Sequence, residues 1–562
     1  MTTRSDESRA SRIPVALAAA DTALARQAGD DVDDTVMAES SAPSQPSTPQ
    51  PSTPQPSTPQ PAPAADATAV LGVLIIGAGF SGIGMAIRLR QQGRRDFAIF
   101  DKESGIGGTW WVNRYPGCAC DIPSHLYSFS FEPNAEWSQR FSGQPEIRDY
   151  LAACARKHDL HRHLRLNTEI VSLRWIEDAA LWEATAADGS VSRARVVVAG
   201  TGALSLPDDR PDIRGLERFA GRLFHSQQWD ESYALAGKRV GVIGTGASAI
   251  QFVPQIQPQV ERLTVFQRNP PWILPKPDRR FATAEKTLLR RLPGWRALSR
   301  LGLYLAAEAR VLGFVFDPRL MLVHRWLAAS LLRRQVTDPQ LRRQLMPQYG
   351  IGCKRILMSN DYYPAIAANN VTLTTERIVE IDAEGVRTAD GAHHMLDALI
   401  LSTGFKASAP FPRGLIFGIG GRDLIEVWRD GPQAYKGTTV SGFPNLFLLM
   451  GPNTGLGHNS MIYMIESQIA YVMDTLRTMD ERGLEQVEVR ADAQERFNQG
   501  LDQRLRRSVW QVGRCTSWYR HPVSGRNVVI WPGFTWRFRQ LTRHFDPDAY
   551  HLSSADAQNA EP

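Results

Sequence analysis

The chain has few cysteines, no long apolar run and no block of like charge, and each lack removes a class of protein. Its 562 residues include five cysteines, at 118, 120, 154, 353 and 515, an odd and scattered set. Cys118 and Cys120 are not spaced as C-x-x-C, and no second pair has zinc-ligand spacing. The expectation is a reducing, cytoplasmic setting, with no disulfide framework and no metal site. No stretch of 18 apolar residues occurs, so no transmembrane segment is expected. The nearest approach, 301–316, is interrupted by Glu308 and Arg310. With Arg319, His324 and Arg325 beyond, it suits partly buried helices, a membrane-surface helix being the alternative. Lys and Arg total 64 against 58 Asp and Glu, but the basic residues are interleaved with acids. That spread argues against a nucleic-acid partner.

Residues 1–68 contain no aromatic side chain and carry Pro-Ser-Thr-Pro-Gln repeats from Pro46 onward. Such a segment cannot bury enough apolar surface to offset its chain entropy, so a disordered leader is expected. No charged-then-apolar secretory pattern opens it. The remaining length suffices for several domains with sizeable cores.

Two glycine-rich turns organise that remainder. The first follows an apolar run, Val70–Ile76, and reads Gly77-Ala-Gly79-Phe80-Ser81-Gly82 before a helical stretch. The first glycine allows a tight turn, the second lets backbone approach a pyrophosphate, and the third permits close helix–strand packing. The helix N-terminus offers free N–H groups to phosphate. Asp101 ends the next strand, 24 residues past Gly77, where an acid accepts from a ribose hydroxyl. The second turn, Gly244-Thr245-Gly246-Ala247-Ser248-Ala249, follows Lys238–Ile243 and opens the helix at Ile250 and Gln251. Its second strand ends in Gln267 and Arg268, and Arg268 stands at the same offset of 24. An acid there would repel a 2′-phosphate, whereas a guanidinium grips it. The first turn is therefore read as FAD-binding and the second as NADPH-binding, with NADH preference the alternative at the second. Between 164 and 202 the pattern is a β-meander, with a turn at Asp188-Gly189.

The segment joining the turns has Phe219, Gly221, His225, Trp229 and Asp230 in the spacing F-x-G-x-x-x-H-x-x-x-W-[P/D]. Upstream, Gly107-Gly108-Thr109-Trp110 continues through Tyr115-Pro116-Gly117 to Asp121. Downstream come Gly352-Cys353-Lys354-Arg355 and Ser402-Thr403-Gly404-Phe405. In these motifs the chain resembles the Baeyer–Villiger monooxygenases, over about residues 69–545. Two departures are Asp230 where proline is commoner and Ser402 where alanine is usual.

The resemblance implies an α/β fold of two Rossmann-like dinucleotide-binding domains, for FAD and NADPH, with a helical insertion. The FAD domain would span 69–206 and 396–548, the NADPH domain 213–275 and 348–392, and the insertion 276–347. Residues 549–562 would form a disordered tail. It implies a small-molecule ketone and O2 as reactants, with ester or lactone formed through a C4a-peroxyflavin and a Criegee intermediate. Arg355 would be catalytic, paired with Asp121 near the flavin. Gly108, Thr109, Trp110, Tyr127, Ile170 and Met461 would contact FAD. Lys354 and Trp518 would contact NADPH, and His225 and Trp229 would couple the domains. Disulfide reductases share the two-dinucleotide layout but need a dithiol beside the flavin, which is missing here. The competing activity is oxidation of N or S centres by a flavin-containing monooxygenase. Substrate identity and oligomeric state are not legible.

Overall fold

A computed structural model describes residues 69–406 and 411–554. The leader, and the tail beyond 554, lie outside the described residues. Strand Leu71–Ile76 lies between Phe97–Phe100 and Val191–Ala199, parallel to both. Its central residues Val73, Leu74 and Ile75 are fully buried, which fits the unbroken apolar run of a strand covered on both faces. Ile170–Ile176, Leu181–Ala186 and Val191–Ala199 form the expected antiparallel meander on the same sheet. Leu446–Leu448 and Ile416–Phe417 add to it in parallel, after a long detour of the chain.

The second sheet is wholly parallel, in the order Val371–Thr374, Arg262–Phe266, Arg239–Ile243, Ala398–Leu401, Arg222–His225. Ala398–Leu401 thus belongs to this sheet, correcting the expected return to the first domain at 396. A buried run of Ala-Leu-Ile-Leu looks the same in either sheet, and only its pairing with Val240–Ile243 and Arg222–His225 decides.

Two further corrections concern the ends of loops. Tyr550–Ser554 pairs antiparallel with Leu484–Val489, so 549–554 is no disordered tail. Tyr550 is buried, and its hydroxyl meets those of Thr439 and Tyr471. Cys353 and Cys515, in a chain expected to have no disulfide framework, form a disulfide across 162 residues with Cα atoms 6.2 Å apart. Cys118, Cys120 and Cys154 remain free and buried.

The insertion is helical as expected, with Thr283–Arg291, Pro293–Glu308, Leu322–Gln335 and the short Pro339–Gln344. Its inner side packs Val311, Phe314 and Met321 against Trp272, Trp510 and Tyr519. The expectation of partly buried helices holds only for that side, because Trp295, Leu305 and Trp326 face outward and are exposed. Among the described residues no helix is long and apolar enough to cross a membrane.

Candidate active site

The first glycine turn has the shape the sequence calls for. Gly77 has φ +102°, and a Cβ on Gly82 would lie 1.8 Å from the Gly77 carbonyl oxygen. Helix Phe80–Gln91 starts at Gly79 with no side-chain cap and no acid in its first turn. Its leading N–H groups are left for an anion. Asp101 accepts from the Ala78 N–H at 2.6 Å and the Glu103 N–H at 2.9 Å, which fixes the carboxylate beside the turn. Burial raises its pKa, opposed by those two backbone donors. Phe80 and Ser81 are buried in the first helical turn.

Gly108 lies against Gly79, so that a Cβ on Gly108 would come within 3.0 Å of the Gly79 Cα. Two bare backbones thus form one flat wall that side chains would fill. Thr109 and Trp110 open the short helix Thr109–Val112. The Trp110 indole N–H donates to the Tyr127 hydroxyl at 3.2 Å, and Tyr127 packs edge-on to Phe80. The arrangement fits a planar, pyrophosphate-bearing cofactor such as FAD. Beneath the loop, Cys118 and Cys120 are buried thiols, and desolvation pushes the Cys118 pKa up to about 12. Both are held as neutral thiols, poor nucleophiles.

From this loop Asp121 meets Arg355. The guanidinium donates to Asp121 Oδ2 from Nε at 3.0 Å and from Nη2 at 2.5 Å. Its Nη1 has no hydrogen-bond partner among the described residues. The Asp121 charge raises the Arg355 pKa, outweighing the desolvation that opposes it. The Arg355 side chain keeps 44% of its surface accessible, yet protein crowds the guanidinium closely enough for desolvation to count. Its Nε–Nη2 edge is turned to Asp121, with Cys120 and Tyr519 as further neighbours. The Tyr519 hydroxyl is a close electrostatic neighbour of this pair. Tyr519 directly follows Trp518, which packs on it at 4.3 Å and is itself exposed. Arg310, from the insertion, also senses Asp121 and has no side-chain hydrogen bond or ion pair among the described residues. Neither Tyr519 nor Arg310 stands out in the sequence by any spacing.

The second turn repeats the first. Gly244 has φ +107°, Gly246 faces open space, and helix Ala249–Ile256 starts at Ser248 without a side-chain cap. Thr245, Ala249 and Ile250 are buried, while Ala247 and Ser248 are partly so. Arg268 is exposed just after its strand. Burial, then the Arg268 charge, lower the Lys354 ammonium pKa, so the two cations share one neighbourhood. Gln267 is buried, donating from Nε2 to the Gln344 carbonyl while Oε1 has no partner. Two cations and an orphaned acceptor beside an uncapped helix fit a phosphorylated dinucleotide. Gln251 has another engagement. Its side chain accepts from the Tyr115 hydroxyl at 3.1 Å and donates to the Ala119 carbonyl at 3.0 Å.

The remaining expected residues are more dispersed. Ile170 begins its strand, buried with Ala186 and Phe411 in the second core. Met461 begins helix Met461–Arg482 and packs toward Trp531 and Phe538. That helix is capped by Ser460, which accepts from the Ile462 N–H, unlike the two open turns. His225 is buried, its Nδ1 accepting from the Gln227 N–H, and its ring meets Phe405 edge-on. Trp229 is wedged between Phe224 and Phe252. Asp230, in the proline position, accepts from the Ser232 N–H at 3.0 Å and from Arg222 Nε at 2.7 Å. His458 is buried with neither ring nitrogen bonded, and desolvation lowers its pKa to about 3. A ring so held neutral keeps one N–H but carries no imidazolium charge.

Two uncapped glycine turns, each after a parallel strand of its own sheet, together with the Asp121–Arg355 pair, have the layout of a two-dinucleotide oxidoreductase. The family described as "Flavin-binding monooxygenase-like" matches residues 71–292. A Baeyer–Villiger monooxygenase of Pseudomonas aeruginosa is 58% identical over 85% of this chain and 90% of its own length. One of Streptomyces coelicolor is 45% identical over 86% and 92% respectively. Among solved structures, an oxidised steroid monooxygenase bound to NADP superposes with TM-score 0.77 at 30% identity, covering 87% of this chain and all of that one. A cyclohexanone monooxygenase from Rhodococcus sp. bound to NADP+ has the same TM-score and identity, covering 86% and 99%. The chain belongs to the Baeyer–Villiger monooxygenase family. These names do not favour the N- or S-oxidising alternative.

Proposed function

We infer that the protein is an NADPH-dependent flavoprotein that inserts one atom of O2 beside a ketone carbonyl, giving an ester or lactone. FAD occupies the first glycine turn and NADPH the second. The 58% identity to a Baeyer–Villiger monooxygenase supports this reading. Bound FAD, once reduced by NADPH, supplies the activation of O2.

The chain's own part is electrostatic. Asp121 takes two N–H groups of Arg355 and fixes the plane of the guanidinium. Nη1 is left to donate to negative oxygen in the cleft, and the charge of Arg355 persists at every working pH. Such a preorganised donor is worth about 3–4 kcal/mol in a barrier. Trp110, Tyr127 and the Gly79–Gly108 wall hold the planar ring and exclude water. Arg268 and Lys354 take the 2′-phosphate, and His225 and Trp229 set the angle between the two halves. The pairing of Arg355 with Asp121 is the observation that carries this reading.

The domain division follows: 69–206 and the chain after 404 hold FAD, 213–275 and 348–401 hold NADPH, and 276–347 covers the mouth. We place the protein in the cytoplasm, where NADPH is supplied; the Cys353–Cys515 bond is the feature at odds with that. The test is NADPH consumption against linear, cyclic and aryl ketones plus thioethers, with product identification. Ester or lactone from a ketone supports the reading, and turnover of thioethers alone contradicts it.

A further inference from the structure

The insertion turns apolar side chains outward. On helix Pro293–Glu308, Trp295, Leu298, Leu301 and Leu305 lie within an arc of about 120° on the exposed side, opposite partly or fully buried Tyr304 and Ala307. The chain beyond continues the pattern, with Phe316, Val323 and Trp326 at 58%, 63% and 63% exposure. Phe316 packs on Phe534 at 5.7 Å, and Phe534 packs on exposed Trp536, so the surface runs on to the C-terminal lobe. Single exposed apolar residues are ordinary, but this many within one segment, three of them aromatic, mark something they meet.

The same segment is strongly basic. Residues 276–347 hold fifteen Lys or Arg against five Asp or Glu, while the whole chain is only +6, so the rest is net negative. Arg291, Arg319, Arg325, Arg333 and Arg334 are exposed and have no ion-pair partner among the described residues. A groove of about 460 Å³ between Leu322, Trp326, Ala329 and Met346 carries Arg325 and Arg333 at its edge.

Charge decides the occupant. A second copy seated on this face would set one strongly cationic surface against another, which repels. An apolar face with exposed tryptophans and interleaved arginines matches a bilayer interface. There apolar side chains sink to headgroup depth and guanidinium groups meet lipid phosphates. We propose that the insertion docks the protein on the surface of an anionic phospholipid bilayer. Trp295, Leu305, Phe316 and Trp326 enter the headgroup layer, and Arg319, Arg325 and Arg333 pair with phosphates.

The test is co-flotation of the full-length holoenzyme with vesicles. One set is phosphatidylcholine alone, and the other contains about 30 mol% phosphatidylglycerol. The wild type is expected to float with the second set at least tenfold better than with the first. A Leu305→Gln/Trp326→Gln variant and an Arg319→Glu/Arg325→Glu variant should each lose that binding at least tenfold. Both should oxidise a water-soluble ketone at the wild-type rate, which shows that they fold. Absence of flotation overturns the proposal, as does flotation that neither variant weakens. Sedimentation tests the competing occupant: a wild-type dimer that Leu305→Gln/Trp326→Gln turns to monomer, without vesicle binding, overturns the proposal and assigns the face to a second copy.

Discussion

The Tyr115 hydroxyl donates to Gln251 Oε1 at 3.1 Å, across 136 residues of sequence, and the Gln251 amide donates onward to the Ala119 carbonyl. One side chain at the start of the second dinucleotide helix thereby holds the loop that carries Asp121. Tyr115 is buried, so losing its acceptor leaves a hydroxyl without water, at a cost of about 1–3 kcal/mol. Gln251→Ala and Tyr115→Phe should each lower Tm, and the double variant should cost less than the sum of the two. Full additivity in a double-mutant cycle would show that the two side chains do not act together.

Arg268 and Lys354 share a neighbourhood with no acid close enough to register on Lys354. Loss of a charge-assisted phosphate contact costs about 1.5–3 kcal/mol, or roughly 10–100-fold. Arg268→Ala is expected to raise KM for NADPH by that factor and to leave KM for NADH nearly unchanged. Equal rises for the two nucleotides would remove the 2′-phosphate from this site.

His458 resists protonation in the folded protein, its pKa held at about 3 by desolvation. The unfolded chain takes that proton near the ordinary histidine value of about 6.5. Between those values the unfolded state binds more protons, so stability falls as pH falls, by about 1.4 kcal/mol per unit from this group. Denaturant unfolding from pH 7 to 4 should show a smaller slope in His458→Leu than in the wild type. An unchanged slope would mean that the ring is solvated.

The Cys353–Cys515 bond ties the segment two residues before Arg355 to the lobe carrying Trp518 and Tyr519. Closing so long a loop constrains the unfolded chain, typically by about 2–4 kcal/mol. Cys515→Ser should lower stability by that order and loosen Arg355. Chemical denaturation, with and without reductant, checks it: the wild type should be destabilised by reductant and the variant not.

What could be read from the chain depended on how local its cause was. The turns at Gly77 and Gly244 need only a few neighbouring residues, and strand, turn and helix stand where those residues put them. Asp101 and Arg268 follow from one strand length beyond each turn. Arg355 and Asp121 lie 234 residues apart, and only the family resemblance joined them before their geometry did. Nothing in the spacing of Cys353 and Cys515 signals a bond, because their proximity is made by two sheets and a lobe. Helical periodicity in 283–335 reveals an apolar stripe but not what covers it. The outward turn of Trp326 was therefore invisible, as was the sheet to which Ala398–Leu401 belongs.

We propose that Arg355, fixed by Asp121, supplies the positive charge on which oxygen transfer to a ketone depends. The most direct measurement is product formation by purified Arg355→Ala with NADPH, O2 and a ketone the wild type converts. The variant is expected to stay yellow with bound FAD and to let NADPH reduce it. Ester or lactone yield should fall at least by the roughly 100–1,000-fold worth of one such donor. Ester formed at the wild-type rate by that variant would contradict the role given to Arg355.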